Sequence, residues 1–186
     1  MKRLFIAVPV TLSPSLQENS NLLREHLQRD QITWVAPHLQ HLTLRFLGKT
    51  PPQWIDPLQE AIQNCAQQAT PFTLELNRLG LFGSRYAPKV IWYGFEEFTL
   101  FKNLFEILEP QLIKIGFEPN YGNFVPHISV GRIRKVENKK RFSEAITKLQ
   151  PKETQTIHVD QLVLYQSKLH SDGPIYRKLA TFPFAQ

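Results

Sequence analysis

The sequence predicts an α+β fold. Four helical segments interleave with about seven segments of strand character, and hairpins mix with helical crossovers, which argues against a doubly wound parallel sheet. Two of the strands carry the same phrase, a histidine followed two residues later by a hydroxyl residue: His41-Leu42-Thr43-Leu44 and His127-Ile128-Ser129-Val130. These strands fall at similar places in the two halves of the chain, which points to an old duplication.

Each element has a local reason. Arg3 to Pro9 reads as a strand. Ser13 is an N-cap with Pro14 in the first helical position, and Leu16, Leu23 and Leu27 form the apolar stripe behind it. His41 to Leu47 is the next strand, closed by Gly48. Thr50-Pro51-Pro52-Gln53 resembles a capping box, followed by a helix that places Trp54, Leu58, Ala61, Ile62 and Cys65 on one side. Phe72 to Leu76 and Lys89 to Phe95 read as strands. From Thr99 a helix buries Phe101, Leu104, Phe105, Leu108, Leu112 and Ile115 and ends at Gly116, with Pro110 expected to kink or divide it. Phe124 to Ile133 is the second histidine strand, and Asn138 to Leu149 the fourth helix. His158 to Leu169 and Tyr176 to Phe184 read as two strands around a Ser171-Asp172-Gly173-Pro174 turn.

Length and composition narrow the class. At 186 residues, 42% of them hydrophobic, the chain suits a single globular domain, residues 1–186, or two small lobes over one continuous core. No apolar run reaches the roughly 18–20 residues of a membrane span. The opening Met1 to Val10 has a short apolar stretch cut by Pro9, which predicts a first strand and not a signal peptide. The single cysteine, Cys65, excludes an internal disulfide and a thiolate metal cluster, so a cytoplasmic location is expected. Lys and Arg outnumber Asp and Glu by 22 to 16, a balance that mildly favours an anionic partner.

The repeated phrase carries the chemistry. Side chains alternate along a strand, so each histidine shares a face with its hydroxyl while Leu42, Leu44, Ile128 and Val130 point the other way. Two imidazoles can respectively take and give a proton near neutral pH, and two hydroxyls can hold anionic oxygens. Attack and departure at phosphorus lie in line, so a base and an acid must flank a phosphate from two directions, as two strands from two lobes would allow. Zinc sites want three or four ligands, and no carboxylate lies near either motif, so metal is not expected.

Around these residues the whole chain resembles the two-histidine (2H) phosphoesterase superfamily, in its bacterial branch of RNA 2′,3′-cyclic phosphodiesterases, once described as 2′-5′ RNA ligases. Beyond the paired motif, Arg3-Leu4-Phe5-Ile6-Ala7, Leu44-Arg45-Phe46-Leu47-Gly48, Val90-Ile91-Trp92-Tyr93-Gly94, Phe124-Val125-Pro126 and Leu164-Tyr165-Gln166-Ser167 are similar to the family's strands, as are Gly173, Tyr176 and Leu179 at the end. The resemblance implies two pseudo-symmetric lobes, each an antiparallel sheet with outer helices, around a central cleft. It implies catalysis by His41 and His127, phosphate binding by Thr43 and Ser129, no cofactor and no metal. The implied partner is RNA ending in a 2′,3′-cyclic phosphate, tRNA fragments among the candidates. The product would be a 2′-phosphomonoester, with reverse 2′-5′ ligation as a side activity. A monomer with no membrane association is expected.

Two arginines follow the motifs. Arg45 shares the His41 face by parity and is a candidate for substrate contact. Arg132 matches an arginine common after the second motif, but parity groups it with Ile128 and Val130, so it reaches the cleft only through a bulge at Gly131 or a strand end there. Ser129 stands where threonine is commoner, and Tyr121-Gly122-Asn123 where many relatives place an arginine. Phe82, Tyr86, Trp92 and Tyr121 are candidates for base stacking. The basic run of Arg134, Lys135, Lys139, Lys140 and Arg141 is a candidate for RNA backbone contact, against the alternative of solvated charge. Two rival readings stand beside this one: a 2H hydrolase of another small cyclic or nucleotide phosphodiester, and an RNA-end-binding module without turnover.

Overall fold

In the computed structural model, which describes residues 1–84, 86–171 and 173–185, nine strands form two antiparallel sheets among the described residues. Asp172, assigned from the sequence to a turn, lies outside the described residues. Sheet A has the order β3-β1-β8-β9 and is built from β1 (Lys2–Pro9), β3 (His41–Thr50), β8 (Gln161–His170) and β9 (Gly173–Pro183). Sheet B has the order β2-β6-β5-β4-β7, with β2 (Gln31–Trp34), β4 (Phe72–Ser84), β5 (Ala87–Phe95), β6 (His127–Lys135) and β7 (Gln155–Val159). The apolar positions of both sheets join in one buried cluster.

Four α-helices cover the outer faces. α1 (Pro14–His26) starts as expected, with Pro14 in the first turn and the Ser13 hydroxyl accepting from the Leu16 N–H. It lies on β5, where the buried Tyr93 donates from its hydroxyl to the Asn19 side chain. α4 (Lys139–Lys148) packs beside α1, its Asn138 cap accepting from the Arg141 N–H at 2.9 Å. α2 (Ile55–Gln67) and α3 (Thr99–Ile115) pack on each other and against sheet A.

Several expectations are corrected. Pro110 does not divide α3, which runs unbroken to the left-handed Gly116. Proline removes one bond, to the carbonyl four residues back. Both Pro110 and Glu106 lie on the exposed side, where water can serve that carbonyl. The capping box at Thr50 does not form. Thr50 is the last residue of β3, paired with Lys2, and its buried hydroxyl turns back to the Gly48 carbonyl. The second histidine strand begins at His127 and not at Phe124, because Pro126 has no N–H to give the ladder.

The span read as one strand from His158 to Leu169 is two. β7 pairs with β4 in sheet B, and past Asp160 the chain enters sheet A beside β1. Residues 31–34, too short to stand out in the sequence, form β2 at the edge of sheet B.

Candidate active site

β3 and β6 open with their histidines, and the two strands bring both motifs to one cleft of about 200 Å³. His41 and Thr43 line it from β3, and His127, Ser129 and Arg132 from β6. Trp34, Val35, Ala36 and Leu39 close one side, and Tyr176 with Pro174 another. Leu42, Leu44, Ile128 and Val130 are buried in the core, as alternation requires.

The two imidazoles are held in the same way. Nδ1 of His41 lies 2.7 Å from the Leu39 carbonyl, and Nδ1 of His127 lies 2.8 Å from the Val125 carbonyl, in each case two residues upstream. A carbonyl only accepts, so each Nδ1 carries the proton, and the neutral ring keeps its Nε2 lone pair free. Each ring also rests on aromatic neighbours. His41 meets Phe5 and Tyr176 at centroid distances of 4.9 and 5.2 Å, and His127 meets Phe82 at 4.6 Å and Trp92 at 6.2 Å. Trp92 lies flat across Gly80 and Gly94, where a Cβ would stand only 2.2 and 2.5 Å from its ring. Trp92 is thus a floor for His127 with little surface left for a base.

Burial lowers the pKa of both histidines below the ordinary value. The carbonyl hydrogen bonds oppose the shift, and the Arg132 charge adds to it for each ring. His41 is lowered further by the charge of His127, so the two rings are coupled. Burial also raises the Tyr176 hydroxyl, against the pull of Arg132 and Arg3.

One extra residue beside each motif decides the fate of the two arginines. On β6, Gly131 and Ser129 pair with the adjacent Ile91 and Trp92 of β5, leaving Val130 as a bulge. The bulge shifts the parity by one and turns Arg132 to the face of His127 and Ser129, the condition set by the sequence. On β3, Arg45 and Thr43 pair with the adjacent Ile6 and Ala7 of β1, leaving Leu44 as the bulge. Here the same shift turns Arg45 away from the His41 face, so the structure does not bring this candidate into the cleft. Its guanidinium forms a bidentate pair with Glu109 of α3, at 2.8 and 3.1 Å, and donates to the carbonyls of Phe46 and Glu118. Phe46 takes the cleft-side position instead, 58% exposed.

The other candidates divide. Arg141 of the basic run is bonded to the fully buried Asp30 carboxylate at 2.8 Å, and Lys135 pairs with Glu137. Tyr86 and Tyr121 are exposed, Tyr86 beneath the Lys139 ammonium. Among the described residues no three of His, Cys, Asp and Glu converge as metal ligands. Tyr176, Phe5 and Trp34 also belong to the site. Their contacts with the histidines and the cleft come from distant strands, and no local pattern signals them.

The family model for LigT-like phosphoesterases matches residues 6–92 and 97–176. The chain is 33% identical over 180 residues to an RNA 2′,3′-cyclic phosphodiesterase of Geobacillus stearothermophilus, covering 96% of this chain and 56% of that protein. It is 28% identical to the RNA 2′,3′-cyclic phosphodiesterase of Methanothermobacter thermautotrophicus, covering 97% of each. The crystal structure of E. coli LigT complexed with 3′-AMP superimposes with a TM-score of 0.78 at 24% identity, over 100% of this chain and 99% of that one.

Proposed function

Because the chain belongs to the family of LigT-like phosphoesterases, we propose that it opens 2′,3′-cyclic phosphates at RNA ends by two-histidine acid–base catalysis. One observation carries the reading. Two histidine–hydroxyl pairs from different sheets, each ring locked by its Nδ1 onto a carbonyl, converge with one arginine on one cleft.

That arrangement supplies the acid and the base, and the family resemblance supplies O3′ as the leaving group. With both Nδ1 protons committed to backbone, the Nε2 atoms are the reactive ones. The neutral imidazole draws a proton from water as its oxygen attacks phosphorus. The protonated imidazole gives its proton to the ribose O3′ as the P–O3′ bond breaks, and a 2′-phosphomonoester remains. Each transfer is worth about 10²–10⁴-fold. Thr43 and Ser129 donate to the non-bridging oxygens, and Arg132 faces the charge that persists on them throughout the step. The Arg132 charge and mutual repulsion disfavour a doubly protonated pair, which keeps one ring available as a base.

With a 5′-hydroxyl in place of water, the same ring-opening step forms a P–O5′ bond as the P–O3′ bond breaks and joins two RNA ends through a 2′-5′ linkage. Among the described residues the two histidines have no convergent carboxylate, fewer donors than the three or four of a zinc site.

The test incubates the purified protein and a chelator with a short RNA ending in a 2′,3′-cyclic phosphate and maps the product. A 2′-phosphate is expected. No turnover would overturn the reading, as would a 3′-phosphate product, or activity lost to chelator and restored by zinc.

A further inference from the structure

Sheet A turns one face to its helices and the other toward the side of His41, and strand pairing assigns the side chains of that second face. Phe5 stands opposite Phe46 on β3 and Tyr165 on β8, and Tyr165 stands opposite Lys178 on β9. One step along, Arg3 stands opposite Lys49 and Ser167, and Ser167 opposite Tyr176. Paired residues share a face, and the contacts of Phe5 and Tyr176 with the His41 ring place it on the cleft side. A depression of about 170 Å³ between Phe5, Tyr165 and Tyr176 joins this face to the cleft at His41.

The face is aromatic and uniformly basic. Phe46 packs one side on Phe5, at 6.0 Å between centroids, and leaves the rest of its ring in water. Arg3, Lys49 and Lys178 are exposed, and none makes an ion pair with a described residue. The four strands of sheet A contain no Asp or Glu. Stacking rings set among unopposed cations are the recognition chemistry of single-stranded nucleic acid.

We propose that this face is the track for the single-stranded RNA chain that leads to the reacting end. Phe46 stacks the base of the nucleotide before the last, and Arg3, Lys49 and Lys178 face its phosphates. The proposal rests on the phosphodiesterase reading for the position of the end. A terminal ribose bearing the cyclic phosphate also carries the entire 5′ chain, so the polymer must leave the cleft on one side. Sheet A offers the cations and the ring there, whereas Arg141 of the basic run is engaged with Asp30.

The test titrates the full chain with a 5′-fluorescent octaribonucleotide ending in a 2′-phosphate, read by anisotropy over a salt series. Phe46→Ala should weaken binding about 10-fold, within the range for losing one base–aromatic stack, and Phe46→Tyr should restore it. Arg3→Gln, Lys49→Gln and Lys178→Gln together should flatten the plot of log K against log salt by about 2, at roughly 0.7 per cation. Hydrolysis of a mononucleoside 2′,3′-cyclic phosphate, too short to reach Phe46, should keep its kcat within about 2-fold and so report an intact fold. Octamer binding indifferent to both variants overturns the track, even if the wild type hydrolyses the mononucleotide. A wild type that binds the octamer through these residues, yet hydrolyses no cyclic phosphate, overturns the phosphodiesterase reading and leaves the track standing.

Discussion

Replacing Arg45 with methionine separates a structural arginine from one that touches substrate. The change removes two charge-assisted bonds to Glu109 and the donors to the Phe46 and Glu118 carbonyls. Both side chains are nearly enclosed, at 13% and 12% exposed, and among the described residues Glu109 would keep only the Asn120 N–H at 2.6 Å. Stripping one partner from a buried pair costs about 3–5 kcal/mol. Because Glu109 retains that donor and some water, the lower end applies, about 3 kcal/mol. For a chain of this length that corresponds to a fall in Tm of about 6–12 °C. Urea unfolding and a thermal melt would read the loss.

Arg45→Met with Glu109→Leu should recover much of it, since two apolar side chains leave no charge stranded. Turnover of a cyclic phosphate, measured well below the melt, should stay within about 3-fold of wild type, because no reactive contact is removed. A variant of native stability whose kcat has collapsed would refute the reasoning and return Arg45 to the substrate.

His41→Ala and His127→Ala should each cut turnover by at least about 10²-fold, and the double variant should fall well short of the product of the two losses. Single-turnover rates on a cyclic phosphate decide it, and near-normal rates in either variant would sink the mechanism. Thr43→Val and Ser129→Ala should leave the melt almost unchanged and weaken transition-state binding by about 1–3 kcal/mol each, read as kcat/KM; unchanged kinetics with both hydroxyls gone would remove them from the site. The pH profile of kcat/KM should be bell-shaped with its optimum on the acid side of the ordinary histidine pKa. Both pKa values are lowered by burial, so the ring that must be protonated loses its proton early as pH rises, and the ring that must be neutral gains one only at still lower pH. Arg132→Gln removes a cation that lowers both rings, so both limbs should move to higher pH; limbs that stay put would show that Arg132 does not act on them.

Local patterns around the two motifs and the first helix were legible in the sequence alone. Alternation about His41 and His127 put each hydroxyl on its histidine's face and each aliphatic neighbour in the core. Ser13 and Pro14 announced the first helix by cap chemistry that acts within four residues. The α+β class followed from the order of such segments. Whatever depends on a partner strand waited for the assembled fold.

Arg45 and Arg132 occupy nearly the same place relative to their motifs, at four and five residues beyond the histidine. Parity would have put Arg45 in the cleft and kept Arg132 out, and the structure reverses both. A bulge is one residue left over when two strands pair, so Leu44 is surplus only against β1, and Val130 only against β5. No single strand records its neighbour's register. Alternation therefore marked the histidine–hydroxyl pairs, while the choice between one arginine for the phosphate and one for Glu109 waited on the assembled sheets.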